Sequence, residues 1–566
     1  MTPQGLRFLE RWWLRGGVFL LPLGFSFQTW DSWVLPKILL ARVLLLGLLA
    51  LELLRAVAAG RFGVRRTSLD VPVLLFLASA AVSTALAYNI NAAVFGTYSR
   101  YDGLLTTATY VALFWLAVQC LDGPDDARGL LRALLASGYT FGLFAIAGAV
   151  VATLNGGGAL PVSATIGNSN VAGTFLAMLM PLALYEVFDA SSWSGRIVAL
   201  NVVLVVGTTL LLTLSRSSWL GATVGVIVLA AGWRRLVPRL APMAALVAAA
   251  AAVVMGGAGP TINRRLASIV QPADWGSRPH IWRDTLDMVA SRPLFGYGPD
   301  NFGLVYPNYQ TGAWEISGTG SVLQIDKAHA ETLQVAATQG VVGLAAYVFI
   351  LFALVRSFWR SGRDELSVAL FAAVVAYQVT LQLNFTQVAA AIPFWIMVAA
   401  AAVVWERPSE RYIATVPAGR ETRAVIVSAG LVPAAVLATV LVAFPYLADA
   451  SLRVAVESDF VGHGPDAIHA AQRAAQLVPY ESVYQVEIGN LAFERGAWWD
   501  ARSAYQLAAT LGSYNPYLFR NLALVDINLG RREDALAAAE QALVLDRFDP
   551  ATRALVDQLR EDARTP

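Results

Sequence analysis

The 566-residue chain is short of charge, cysteine and histidine. Asp, Glu, Lys and Arg make up 14% of it, against roughly 25% in soluble domains, while 57% is hydrophobic. That excludes an ordinary soluble globule and points to a chain that crosses a membrane many times. The scarce charges nearly cancel, at a net +2, and the arginines are spread over short loops, which gives no basic face for nucleic acid. The one cysteine, Cys120, lies in an apolar run and excludes an internal disulfide. No cleavable leader is expected, because the first apolar run follows Arg7, Arg11 and Arg15 and leads straight into further runs.

What is present is a series of apolar stretches near the ~20 residues a helical span needs. They fall at 16–30, 36–56, 69–88, 104–121, 132–154, 171–188, 196–213, 217–233, 240–258, 338–357, 366–384, 388–405 and 424–446. The expected fold is therefore all-α, a polytopic membrane protein with about 12–13 transmembrane helices. Arginines recur in alternate loops: before the first run, at 55–66, at 128–132, at 196, at 234–239, at 356–363 and at 407–423. The positive-inside bias makes those loops cytoplasmic, with the N-terminus inside. A long polar loop, 256–340, and everything after 446 then lie outside. Lys37, Arg42, Arg100 and Arg216 stand at outward ends against the bias, which makes them functional candidates; Lys37, Arg42 and Arg100 are read as contacts to lipid phosphate.

The 256–340 loop holds His280 and His329 together with Arg264, Arg265, Arg278, Arg283 and Arg292. A polar loop of that length between spans is too long for a connector, so it is read as the lid and active site of a membrane enzyme. In "LLTLSRSSWLGA" Arg216 opens a helix among small residues, where its fork of donors and the free amides beside it suit a diphosphate. In "SRPHIWRDTLDMVASRPLFGYGPDNF" Arg278 and Arg283 open an amphipathic helix from Pro279 to about Ala290, with Ile281, Trp282, Leu286 and Val289 on its apolar side, lying along the membrane surface. In "DKAHAETLQVAATQGVVGLAAYVFILF" His329 heads a helix that continues into a span. A histidine there, facing arginines, has its pKa pushed down and offers a neutral imidazole as base. No second histidine or cysteine stands at helical spacing from it, so no metal site is expected. The plain alternatives are an arginine snorkelling to lipid for Arg216 and a polar helix cap for His329.

Beyond 446 the sequence turns polar, and Gly496 and Gly530, Ala501 and Ala535, Ala508 and Ala542, and Pro516 and Pro550 recur at a spacing of 34 residues. That is the tetratricopeptide period, with small residues where two helices cross and a proline ending the second helix. The chain is thus divided into a membrane domain, 1–446, and a repeat domain, 447–566, that binds a protein partner or caps the membrane part. His463 and His469 are surface or packing residues on this reading.

Taken in order, "LSRSSWLGA", "SRPHIWRDTLDMVASRPLFGYGPDNF" and "AHAETLQVAATQGVVGLAAYVFIL", with "FGTYSRYDGLLT" and "IGNSNVAGTFLAMLMPLAL" upstream, resemble the O-antigen ligase and polymerase superfamily, which includes protein O-oligosaccharyltransferases. The resemblance covers roughly residues 70–400. It implies a GT-C-type membrane glycosyltransferase that moves a glycan from an undecaprenyl-diphosphate carrier to a lipid, glycan or protein hydroxyl outside the cytoplasm. No cofactor, nucleotide sugar or metal is implied. Arg216 and Arg278, with Arg283 beside it, would hold the diphosphate, and His329 would activate the acceptor. The repeat domain departs from the plain ligase pattern. A lipid-linked-glycan flippase would also use outward cations and many spans, but would have no need of the lone histidine.

Overall fold

The computed structural model describes residues 2–156, 160–255, 278–311, 325–417 and 419–564. Most of the 256–340 loop before Arg278, and residues 312–324, lie outside the described residues. The described chain is all-α apart from one two-stranded antiparallel sheet, in which Arg61–Arg65 pairs with Glu410–Thr415.

Among the described residues six helices are long and apolar enough to cross a membrane, and seven if the bent pair Arg216–Gly232 and Arg234–Ala250, which turns by 112°, counts as one. The difference from the expected twelve or thirteen has two causes. Asp70–Ala85, Leu104–Cys120 and Glu365–Leu381 are apolar but short, and the first two helices carry charges that apolar runs alone do not disclose. The first span is also shifted: the helix runs Pro3–Leu20, and 21–34 form its outer turn. Its buried stripe is Leu6, Glu10, Leu14 and Val18, and Glu10 is tolerated there because Arg55 on the second helix, Leu35–Ala59, reaches it at 3.0 Å. The two helices run antiparallel at close range, since a Cβ at Gly47 would come within 2.3 Å of the Trp13 ring.

Side-chain pairing shows which loops share a face. Asp122 collects Arg7, Arg11 and Arg65, and Asp126 collects Arg11 and Arg15. Glu186 pairs with Arg132, while Glu406 accepts from Ser68 and Ser357. These are the arginine-rich alternate loops, gathered at one face with the small sheet. At the opposite face lie the 95–103 segment, the described part of the large loop, and the repeat domain.

The membrane part and the repeat domain are joined by a continuous helical stretch, Arg420–Phe460, with a π-helical turn at Thr439–Ala443. It runs across the expected domain boundary at 446. The π turn disturbs the ladder of backbone hydrogen bonds, and Arg42 donates to the Leu441 carbonyl at 2.8 Å. After it the helices Gly464–Leu477, Ser482–Glu494, Trp498–Thr510, Pro516–Asn528, Arg532–Leu545 and Pro550–Asp562 stack as helical hairpins. Ala501, Ala508, Ala535 and Ala542 are fully buried, as the repeat requires. Pro516 and Pro550 open the following helices instead of ending the preceding ones, because proline is tolerated at the first helical position, where no amide bond is lost.

Candidate active site

Three segments distant in sequence meet above the membrane helices: 96–103, 297–303 and 325–331. The centre is Lys327, 2% exposed, whose ammonium lies 2.9 Å from Asp102 and 3.0 Å from Asp300. Burial works against the charged lysine, but the two carboxylates outweigh it and hold the Lys327 pKa above that of a free lysine. Asp300 also accepts from the Thr97 amide and hydroxyl, at 2.7 and 3.0 Å. Arg100 pairs with Asp326, and its guanidinium lies over Phe385 at 5.4 Å.

His329 sits two residues before the first helical residue, Glu331, in the left-handed conformation at φ 52°. That backbone costs a non-glycine residue about 1–2 kcal/mol, and its neighbours hold it there. The Ala328 amide donates to Gln334 at 2.8 Å, the Ala328 carbonyl accepts from Trp282 at 3.1 Å, and the Thr386 amide donates to Glu331 at 3.1 Å. The His329 ring stands edge-on to Phe385 at 5.3 Å. Its Nδ1 is buried without a hydrogen-bond partner among the described residues. Burial and the positive charges of Arg278 and Arg100 push its pKa down to about 4, against a raising effect from Asp326. The imidazole is therefore neutral at pH 7.

Arg278 reaches this place because its helix, Arg278–Ser291, docks through Trp282 on Ala328. The buried face of that helix is Ile281, Asp284, Thr285 and Met288, and Leu286 is 56% exposed. This corrects the expected apolar face, and the reason is local: Asp284 turns inward to accept from Tyr306 and Thr311 at 3.0 and 2.9 Å. Arg283 is on the exposed side. The returning turn 293–298 passes through a break in the helix Glu331–Arg360 at Gly340, φ 67°, where a Cβ would fall 2.2 Å from the Leu294 carbonyl. The Tyr297 and Gly298 amides donate to Ala337 and Thr338 there. The helix of His329 is thus a short outer piece, and the span proper starts after Gly340.

Arg216 is the first residue of its helix, half-buried beside Ser215, Ser217 and Ser218, whose hydroxyls bond one another. The 169–189 helix abuts it, since a Cβ at Gly173 would lie 2.4 Å from the Ser218 hydroxyl. Segment 382–387 links the two halves. Asn384 donates to Asn170 and Thr174, Phe385 faces His329, and Thr386 caps Glu331. His329 feels the charges of Arg278 and Arg100 and shares Phe385 with Arg100, while the Arg216 helix is connected to it through the 169–189 helix and this loop.

The other cations expected at outward ends have different employment. Lys37 spends its three donors on the carbonyls of Gly24, Trp33 and Thr165, at 2.7, 2.7 and 2.5 Å. Arg42 serves Leu441, and Arg100 belongs to the His329 cluster. Lys37 is held by carbonyls of turns, Arg42 by a carbonyl of the π-helical turn and Arg100 by a carboxylate, in place of the lipid-phosphate contacts expected of all three. Beneath Lys327 a cavity of about 90 Å³ is lined by Asp102, Tyr110, Glu331, Gln334, Tyr347 and Gln378 among others; His329, Arg216 and Arg278 are not part of it. Among the described residues no three His, Cys, Asp or Glu side chains gather as a metal-binding group.

Sequence reasoning passed over Asp102, Asp300 and the 382–387 loop. The available signal was an acidic residue inside a glycine-flanked polar motif, "YDG" and "GPDN", in a chain poor in charge.

Compared with known proteins, residues 200–348 match the family model described as O-Antigen ligase. The matched stretch contains Arg216, Arg278 and His329. A solved structure, the crystal structure of the APC/C hetero-tetramer Cut9–Hcn1, aligns over 82% of this chain and 78% of that one, at 11% identity and a TM-score of 0.19, a likeness that carries no argument. No curated protein matches the chain.

Proposed function

Taking residues 200–348 as an O-antigen ligase domain, we propose that this multi-pass membrane protein transfers a glycan from an undecaprenyl-diphosphate carrier to an acceptor hydroxyl. The site faces outward from the cytoplasmic membrane, with the N-terminus inside. The reading is carried by one observation: a neutral, strained His329 set among arginines.

The acceptor oxygen attacks the anomeric carbon on the face opposite the diphosphate, and its proton passes to the imidazole. The bond from that carbon to the phosphate oxygen breaks, and its electron pair leaves on the diphosphate. Arg278 and Arg216 stabilise the charge that develops there, with the amides at the start of the Arg216 helix beside them. One displacement inverts the anomeric centre. The diphosphate also offsets the arginine charge that depresses His329, so the base strengthens when the donor is in place. The acceptor is a lipid, a second glycan or a protein, and the superfamily contains all three.

The test is purified protein in sealed lipid vesicles with purified lipid-linked donor, run in parallel with lipid A-core, free glycan and hydroxyl-bearing protein as acceptors. A covalent product with any one supports transfer. Donor translocated across vesicles with no product from any acceptor would replace the transferase by a flippase.

A further inference from the structure

The repeat domain is clamped onto the outer face at two places. On one side Phe95 stacks on Tyr480 at 3.8 Å, and Asn91 and Asn89 donate to the carbonyls of Tyr480, Leu511 and Thr510. On the other, Arg547 donates to the carbonyls of Gln310 and Pro307 at 2.9 and 3.1 Å. A cleft of about 640 Å³ is lined by both domains, with Thr97, Tyr98, Tyr514, Asn515, Tyr517 and Asp546 in its wall. Its repeat-side lining comes from turns and helix starts along one edge of the array, Ser482–Val483 and Gly512–Tyr517.

Two residues of the cleft wall, Thr97 and Tyr514, are linked to the groups around His329. Thr97 donates to Asp300, which bridges to Lys327. Tyr514 lies against Gly303, with a Cβ there 3.3 Å from its ring, and interacts with Asp326 and Arg100, the groups that flank His329. A polyprenyl tail needs a continuous apolar surface, whereas this wall interleaves Val483, Val486 and Pro516 with polar groups. Tyrosine rings beside carboxylate, amide and hydroxyl groups match instead a ligand with apolar ring faces and many hydroxyls.

We propose that the cleft between the repeat domain and the 95–101 segment holds the sugar chain, carried by the donor or by the acceptor, while the reacting end lies at His329. The inference rests on the glycan-transfer reading above. It assigns the repeat domain a substrate-holding role in place of docking a separate protein.

The full chain is used throughout. The binding probe is oligosaccharide released from the lipid-linked donor by mild acid, followed by calorimetry. The kinetic probes are a long-chain donor and a one-sugar polyprenyl-diphosphate donor, each with a long and a short acceptor. Tyr517→Ala removes a ring that is 52% exposed, so folding is kept, and Ser513→Trp fills the cleft. Trp499→Ala, exposed elsewhere on the repeats, is the control. Both cleft variants are expected to weaken oligosaccharide binding about tenfold, as truncating an aromatic anchor does, and to lower kcat/KM for the longer of the two partners more than for the shorter. Whether donor length or acceptor length sets the loss tells which sugar chain occupies the cleft. Unchanged binding and unchanged chain-length preference in both variants overturn the proposal, as does a hydroxyl-bearing peptide that binds in place of the oligosaccharide and is lost in the same variants. Oligosaccharide binding with no transfer from any donor keeps the cleft and overturns the transferase.

Discussion

His329 has a pKa of about 4 because burial and two arginines disfavour its charge. For the free protein this places the acid limb of kcat/KM near pH 4, with the limb of kcat higher once the diphosphate is bound. Arg278→Gln removes one depressing charge, so its limb in kcat/KM should move to higher pH, read from a profile between pH 3.5 and 8. The same shift acts on stability. The folded value lies below the roughly 6.5 of an unfolded histidine, so the stability is full above that pH and is lost progressively as pH falls to about 4. Melting temperatures of wild type and His329→Gln at pH 7 and pH 5 should show the smaller acid loss in the variant. Lys327 offers a different prediction. Lys327→Met leaves the buried Asp300 carboxylate and the half-buried Asp102 carboxylate uncompensated, which costs about 3 kcal/mol, and adding Asp102→Asn and Asp300→Asn should restore most of the melting temperature. His329 and Arg278 stood out as candidates in the sequence because a long polar loop interrupts an apolar chain, and Arg216 because topology disfavours charge at its place. The lysine cluster did not, because its partner Asp102 is 225 residues away and only the fold shows which of the 39 acidic residues faces it.

At the scale of elements, the apolar runs located nearly every membrane helix, since burial in lipid demands continuous hydrophobicity. They misplaced the first, where a Glu10–Arg55 pair lets charge into a buried stripe. They also missed the break at Gly340, where continuous hydropathy hides a change of backbone direction. The break lets 293–298 through and sets the outer helix that follows His329. Gly340→Ala must shift the Leu294 carbonyl, 2.2 Å from the new Cβ, and adopt a backbone at φ 67°, ψ −167° that is essentially restricted to glycine, at about 1–3 kcal/mol. The expected result is a lower melting temperature and a larger loss of transfer than the melting shift explains. A Gly340→Ala protein with wild-type rate would remove the break from the account of the site.

For the whole molecule, the tetratricopeptide period was readable because each repeat must bury the same small residues, whereas its seat on the membrane domain was not, since docking depends on loops with no periodicity. The gathering of arginine-bearing loops at one face fits the proposed orientation. In permeable-walled cells, a cysteine replacing Asp549 should react with an impermeant thiol reagent, and one replacing Arg363 should not; native Cys120 is buried. Labelling of the second site alone would invert the chain and move the site to the cytoplasm. The most direct measurement of the central claim is single-turnover transfer by His329→Ala beside wild type, with purified lipid-linked donor and donor binding measured on the same samples. The account predicts a rate lower by ~10²–10⁴-fold, with donor affinity and melting temperature close to wild type. A variant that transfers at the wild-type rate, or that loses donor binding, contradicts His329 as the base.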